Sequence, residues 1–183
     1  MELRHQLLIA MPAMADPNFD RAVVYICDHS ERGALGLVIN RPTDLSLSTL
    51  FDRIDLKLEI APWKDTPVFF GGPVQTERGF VLHLAPSSYS STLPVTPEIS
   101  LTTSKDVLEA VAQGSGPPKM LVTLGYSGWG AGQLEGEIAA NAWLTVAANP
   151  QILFDTPADE RYGAALKLLG VDPTQLSGLA GHA

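Results

Sequence analysis

The chain carries a single cysteine, Cys27, among 183 residues, so no intramolecular disulfide can staple it. That absence fits a reducing compartment and points to a cytoplasmic protein. No apolar run approaches the ~18 residues that a membrane-spanning helix needs. No lysine or arginine adjoins another, and 12 basic residues stand against 20 acidic ones, for a net charge of −8. Nucleic-acid affinity comes largely from cationic side chains displacing counterions around phosphates. A net negative field opposes approach to DNA, RNA or an anionic lipid surface, so neither nucleic acid nor membrane is expected as a partner. Catalytic and metal signatures are missing too. There is no Gly-Lys-Ser/Thr of a P-loop, and Gly125-Tyr126-Ser127-Gly128 falls one residue short of a G-x-S-x-G elbow. His5, His83 and His182 have no metal-ligand spacing, and no metal or cofactor is expected.

What is present suffices for one core. Hydrophobic residues make up 45% and charged residues 17%, too apolar for a disordered chain. At this length folding hides roughly 70% of the unfolded surface, so one unstapled domain is the default. We place that domain at residues 1–173 and expect residues 174–183, small and polar, to form a flexible tail. Arg4, the apolar residues 7–11 and Ala13-Met14-Ala15 imitate a secretion signal. Glu2 is acidic, however, and Pro12 interrupts the apolar stretch, so the segment reads as a first strand with its exit turn.

Short strands are predicted over 7–10, 23–27 and 35–39, each bounded by Pro, Asp, Asn or Gly. The polar residues 28–33 between the last two are few, which predicts a hairpin. Ser46 caps a helix whose Leu47, Leu50, Phe51 and Ile54 share one face. Residues 68–70, a Gly71-Gly72-Pro73 turn and a strand over 80–84 follow; there Phe80, Leu82 and Leu84 point one way, Val81 and His83 the other. Further strands are predicted over 98–101, 120–124 and 143–147, with a helix over 104–113 stopped by Gly114. The last helix takes Thr156 as N-cap, Pro157 at N1 and Asp159 at N3, buries Tyr162, Ala165, Leu166 and Leu169, and stops at Gly170. Hairpins first and strand–helix units later predict a mixed α/β, α+β-like domain with a mixed sheet.

One segment has a site-like composition. From Leu124 the chain leaves a strand, passes Gly125, Gly128, Gly130 and Gly132, and opens a helix, which predicts a glycine-rich loop. Helix N-termini present unpaired N–H groups that suit anions, and glycines let a ligand approach the backbone. Phosphate fits poorly here. The glycines run G-x-G-x-G, and Glu135 and Glu137 sit in the first turns, where they would repel it. Glu135 reads as a cap on the Gly132 N–H. The loop is then a tight self-capped turn, or a seat for an uncharged ligand or protein partner anchored by Tyr126 and Trp129. Cys27 and His29, two apart, read as core or as a thiol–imidazole pair sharing a face and capable of nucleophilic chemistry. Asp28 and Glu31 suit a hairpin turn without invoking a metal.

Seven segments stand in a distinctive order and spacing: Leu8-Ile9-Ala10-Met11-Pro12-Ala13 with Asp16-Pro17-Asn18-Phe19; Val24-Tyr25-Ile26-Cys27-Asp28-His29; Gly33-Ala34-Leu35-Gly36-Leu37-Val38-Ile39-Asn40-Arg41-Pro42; Phe70-Gly71-Gly72-Pro73-Val74; and Gly125-Tyr126-Ser127-Gly128-Trp129-Gly130 with Gln133-Leu134-Glu135. In these the chain resembles the YqgE/AlgH family of bacterial proteins. The resemblance implies a single mixed α/β domain with coiled, partly split β-sheets flanked by about four helices, and it places Leu8–Ala13 inside the domain. The family is uncharacterised, though some members carry a transcriptional-regulator label, and it supplies no catalytic residues. Nothing in this acidic chain provides a recognition helix or basic face for direct DNA binding. The expectation is a non-enzymatic binding or regulatory protein for a protein partner or small metabolite. Its surface would join Asn40 and Arg41 at a strand exit, the turn at Gly71 and Gly72, and Gly125, Tyr126, Ser127, Gly128, Trp129, Gly130 and Gln133. The alternative is an enzyme of unknown class centred on that loop or on Cys27 and His29.

Overall fold

A computed structural model of the chain describes residues 2–58, 63–85 and 88–172. In chain order the elements are β1 (Gln6–Ala10), β2 (Val23–Ser30), β3 (Gly33–Val38), β4 (Pro42–Ser46), α1 (Leu47–Arg53), β5 (Pro67–Phe70), β6 (Val74–Leu84), β7 (Thr92–Pro94), β8 (Ile99–Thr102), α2 (Asp106–Ala112), β9 (Met120–Gly130), α3 (Gln133–Ala139), β10 (Trp143–Ala147) and α4 (Arg161–Leu168). The strands run β10-β1-β2-β3-β9-β6-β8-β7, with β4 and β5 joined on through β5 and β9. Among the described residues β5–β9 is parallel and the other pairings are antiparallel. The fold is therefore a single mixed α/β domain built on one curled sheet.

Strand β9 explains the curl. Its first half pairs with β5 and β6, Thr123 standing opposite both Phe69 and Phe80. Its second half pairs with β3, Leu35 opposite Gly128. The strand thus belongs to two half-sheets and changes over at Gly125, whose φ of +79° is the left-handed conformation that glycine tolerates. Continuous apolar runs follow from this arrangement, because both faces of the central strands are covered. In β2, Val23, Tyr25 and Cys27 enter a core shared with Leu82, Leu101 and Leu121 and closed by Tyr162, Ala165 and Leu166 of α4. Val24 and Ile26 face the other way, onto Leu134 of α3 and Trp143. A third cluster packs Phe51 of α1 and Val107 and Val111 of α2 against Val81 and Val122.

The β2–β3 hairpin, the Ser46 cap (accepting from the Thr49 N–H), the facing of Phe80, Leu82 and Val81, and the Gly114 stop all match the sequence reading. Three details differ. The hairpin turn is only Glu31-Arg32, since β2 runs on to Ser30. Thr156 does not cap α4: a π-helical turn over Gln151–Asp155 precedes it, and the Thr156 N–H and hydroxyl both donate to the Gln151 carbonyl. The helix then starts at Arg161 after a 3₁₀ turn (Ala158–Glu160), and Leu169 lies outside it, 38% exposed. The tail expected at 174–183 lies outside the described residues. Among the described residues no helix is long and apolar enough to cross a membrane.

Candidate functional site

The predicted glycine-rich loop is a strand. Residues 125–130 complete β9, and only Ala131 and Gly132 turn the chain into α3. The glycines serve close approach of backbones rather than of a ligand. A Cβ on Gly71 would sit 2.3 Å from the Gly125 carbonyl oxygen, and one on Gly72 2.2 Å from that of Tyr126. Ser127 is fully buried and donates its hydroxyl to the Gly71 carbonyl at 3.1 Å. The Asn40–Arg41 strand exit meets the same crossing through a bond from the Phe70 N–H to the Arg41 carbonyl. Asn40 accepts from the Val23 N–H and donates to the Arg21 carbonyl, while Arg41 donates to the carbonyls of Asn18 and Asp20. The three expected segments do converge, but the side chains of Asn40, Arg41 and Ser127 are spent on backbone groups of the fold.

The start of α3 is likewise occupied. Gln133 places its Oε1 on the Gly130 N–H at 3.0 Å, the direction an anion would take. Glu137 accepts from the indole N–H of Trp129 (3.0 Å) and of Trp143 (2.9 Å), and from the Gln133 amide. Glu135 does not cap Gly132; it turns toward His29, with Oε1 3.6 Å from Nε2. Tyr126 packs edge-on against Phe80, ring centroids 5.4 Å apart, and with Gly128 and Trp129 borders an open hollow beside Arg32.

Cys27 and His29 lie on opposite faces. A β-bulge between Ile26 and Asp28 inserts one residue, and each extra residue reverses the alternation of side chains. Cys27 stays in the central core with Tyr25, fully buried, where burial pushes its thiol well above the usual range. His29 goes to the α3 side, accepting the Leu3 N–H on Nδ1 at 3.1 Å. Asp28 pairs with Arg4 at 3.0 Å, and no group of three or more metal-ligating side chains occurs among the described residues.

A nucleophile–base geometry does exist elsewhere. His83 Nε2 lies 2.7 Å from the Thr102 hydroxyl, and its Nδ1 lies 3.0 Å from the Leu84 carbonyl. Donation by Nδ1 fixes the tautomer, so Thr102 donates to Nε2, Thr92 donates to Thr102 (2.8 Å), and the Tyr89 N–H donates to Thr92 (2.9 Å). His83 and Thr102 are both fully buried. The chain of bonds ties β6, β8 and β7 together.

The residue that sequence reasoning missed is Arg161. It is 5% exposed, at the start of α4, beside Tyr162, Ala165 and Leu166 on the buried face. Its Nε donates to the Thr156 carbonyl at 2.9 Å and Nη1 to the Ile39 carbonyl, and its plane lies over the Phe69 ring, 5.2 Å to the centroid. Among the described residues no carboxylate pairs with it and Nη2 has no acceptor. Burial alone pushes its pKa down to about 10. Arg161 lines a cleft of about 460 Å³ with Leu47, Trp63, Phe69, Met120, Phe154 and Asp155, within the size range of small-molecule sites. At the rim Lys119 is held by Asp155 at 2.6 Å. The sequence did hold a signal: Arg161 is four residues before Ala165, which puts a charge inside the apolar stripe.

A mixed α/β domain, curled about one sheet-switching strand and closed by glycine crossings, defines a fold class with known members. The family model described as AlgH-like (DUF179) matches residues 7–174. A UPF0301 protein of Ralstonia nicotianae is 65% identical over 183 residues, covering 100% of this chain and 96% of that relative. One of Burkholderia thailandensis is 67% identical over 185 residues, with the same coverage. Among solved structures, the AlgH protein from Pseudomonas aeruginosa superposes with a TM-score of 0.82 at 52% identity, over 100% of this chain and 97% of that one. A protein from Corynebacterium diphtheriae shares the fold, with a TM-score of 0.71 at 20% identity over 91% and 87% of the two chains. The chain belongs to the AlgH-like family.

Proposed function

We propose that the protein is a non-enzymatic binding module of the cytoplasm that takes a small metabolite, or a short segment of a partner protein, in the cleft at Arg161. The observation that carries this reading is a buried arginine that no described carboxylate pairs with, lining a cleft of about 460 Å³ whose lining acid, Asp155, is held by Lys119. An unpaired charge taken out of water costs several kcal/mol, and folds keep such groups chiefly where something else completes them. The groups that acid–base or nucleophilic chemistry would use support binding over catalysis. Cys27 is sealed in the core, the Ser127 hydroxyl is bonded to Gly71, and the His83 and Thr102 side chains are buried and bonded to each other. A regulatory role would follow if occupancy of the cleft changed what the surface offers a partner.

The test is a thermal-shift screen against nucleotides, phosphorylated metabolites, carboxylic acids and peptides, on the native protein and on Ala158→Leu. Ala158 borders the cleft without contributing a side-chain hydrogen bond, so leucine fills the space and leaves the Arg161 bonds intact. A ligand at 100 times its Kd adds about 2.7 kcal/mol, on the order of 5–11 °C for a domain this size. A shift lost in Ala158→Leu supports the reading. A hit indifferent to that substitution, or one that the protein consumes, overturns it.

A further inference from the structure

Resting on the proposal that the cleft is a binding site, we infer that its ligand is a monocarboxylate with an apolar body, its carboxylate received by Arg161 and its body by the aromatic and aliphatic walls. Of the five N–H donors of a guanidinium, one on Nε and one on Nη1 serve the Thr156 and Ile39 carbonyls. The Nη2 amino group and the second Nη1 proton have no acceptor among the described residues. Two parallel N–H groups on adjacent nitrogens are the fork that matches the two oxygens of a carboxylate. The fork is also held in place. Its two carbonyl bonds and the Phe69 ring fix the plane, so little rotamer freedom is lost on binding.

Two features favour one negative charge over two. Arg161 is the cation of the cleft left without a counter-ion, since Lys119 is already neutralised by Asp155 at 2.6 Å. The whole chain carries −8, which raises the cost of each further negative charge. The walls decide the rest of the ligand. Leu47, Trp63, Phe69, Met120 and Phe154 give apolar surface, and the polar side chains of Lys119, Asp155 and Thr156 in the same lining already hold partners, so a sugar or a second polar group would lose its water without full replacement. A free C-terminal carboxylate of a peptide ending in an apolar residue has the same chemistry as a small apolar acid.

The probes are benzoate, hexanoate, their neutral amides, inorganic phosphate, and a tetrapeptide ending in leucine with a free or amidated C-terminus. Binding is followed by NMR on the Arg161 side-chain Nε–H signal and on backbone amides of β5, β9 and α4, at constant ionic strength. The expected result is saturable binding of at least one acid, its amide more than tenfold weaker, phosphate weaker than the acid, and loss of binding in Ala158→Leu. Arg161→Lys should weaken the acid more than tenfold while its backbone spectrum stays folded; if that variant unfolds, Ala158→Leu carries the test alone. Preference for the free peptide over benzoate and hexanoate would assign the source as a protein terminus, and the reverse a small metabolite. Amide and acid binding alike in the cleft overturns the carboxylate while leaving the binding module standing. Phosphate binding tighter than any acid, or no probe binding at all, overturns the inference, and only failure of the wider screen would remove the cleft itself.

Discussion

Replacing Gly72 by alanine separates the structural role of the glycines from a ligand-binding one. Gly72 has φ +153°, a conformation L-residues rarely adopt, and its added Cβ would lie 2.2 Å from the Tyr126 carbonyl carbon and oxygen and 2.5 Å from the Ser127 nitrogen. All three are backbone atoms of β9 and cannot rotate away. The conformational strain costs about 1–3 kcal/mol. Relief of the clash requires β9 to move off the crossing, losing the Gly71 N–H bond to Leu124 (2.9 Å) and the Ser127 bond to Gly71 (3.1 Å). At about 1 kcal/mol net for each bond, the total is about 3–5 kcal/mol, a large part of a stability of about 5–15 kcal/mol. That corresponds to a fall in Tm of roughly 6–20 °C. Two controls divide the effect. Gly132 has φ +73° with open space around it, so Gly132→Ala carries strain alone and should lose about 1–2 kcal/mol. Gly79 has nothing within 4 Å and no positive φ, so Gly79→Ala should be neutral or gain up to about 1 kcal/mol. Urea unfolding followed by circular dichroism ranks the three. Equal losses at Gly72 and Gly132 would mean that the backbone contact is not rigid, and a Gly72→Ala protein within 1 kcal/mol of the native one would falsify the crossing as drawn.

Two further outcomes follow from burial. His5 and His83 are both held below the ordinary imidazole value of 6.5, chiefly by burial. As pH drops below about 6.5 the unfolded chain takes up protons that the folded chain refuses, so stability is full above that value and declines beneath it. The urea midpoint should therefore fall between pH 7.5 and 5.5, and less so in His83→Gln; a midpoint unchanged over that range contradicts the buried neutral imidazoles. Cys27, fully buried with its thiol pushed up, should react with Ellman's reagent at pH 7 only as fast as the protein unfolds. Immediate stoichiometric reaction in the folded state would restore the nucleophile reading.

Much of the fold was legible because its core strands are apolar on both faces and its helices begin or end on recognisable residues. Residues 23–27 and 120–124 read as buried strands from composition alone, and Ser46 and Gly114 do locally what their types suggest. The misses share a cause: pairing supplied from far along the chain. β4 (Pro42–Ser46) and β7 (Thr92–Pro94) carry proline and polar residues, and each is a strand only because β5 or β8 lies beside it. Residues 125–130 hold three glycines, which locally favour a loop, yet β3 and Val74 of β6 hydrogen-bond them into a strand. The bulge at Cys27, which sends His29 to the other face, exists only in the pairing with β3. The glycine-rich segment drew attention as a site for the same reason it is needed as structure, because it lets backbones touch.

The candidate site was hidden for a different reason. Arg161 looks like an ordinary surface residue of a helix start until its neighbours are known, and those neighbours are Ile39, Phe69 and Thr156, from three separate parts of the chain. Among the buried polar side chains, His83, Thr102 and Ser127 have their bonds completed within the fold. Two do not. His29 Nε2 is buried without a hydrogen-bond partner, 3.6 Å from Glu135, and a slight movement of that partly exposed carboxylate would close the gap. Arg161 differs: it lines a cleft, no described carboxylate pairs with it, and Asp155 in the same lining is held by Lys119. A charge that the fold leaves without a counter-ion, held rigid and beside a space of ligand size, is the group the proposed ligand would match. That contrast is why the functional reading rests on Arg161 and neither on His29 nor on the glycines.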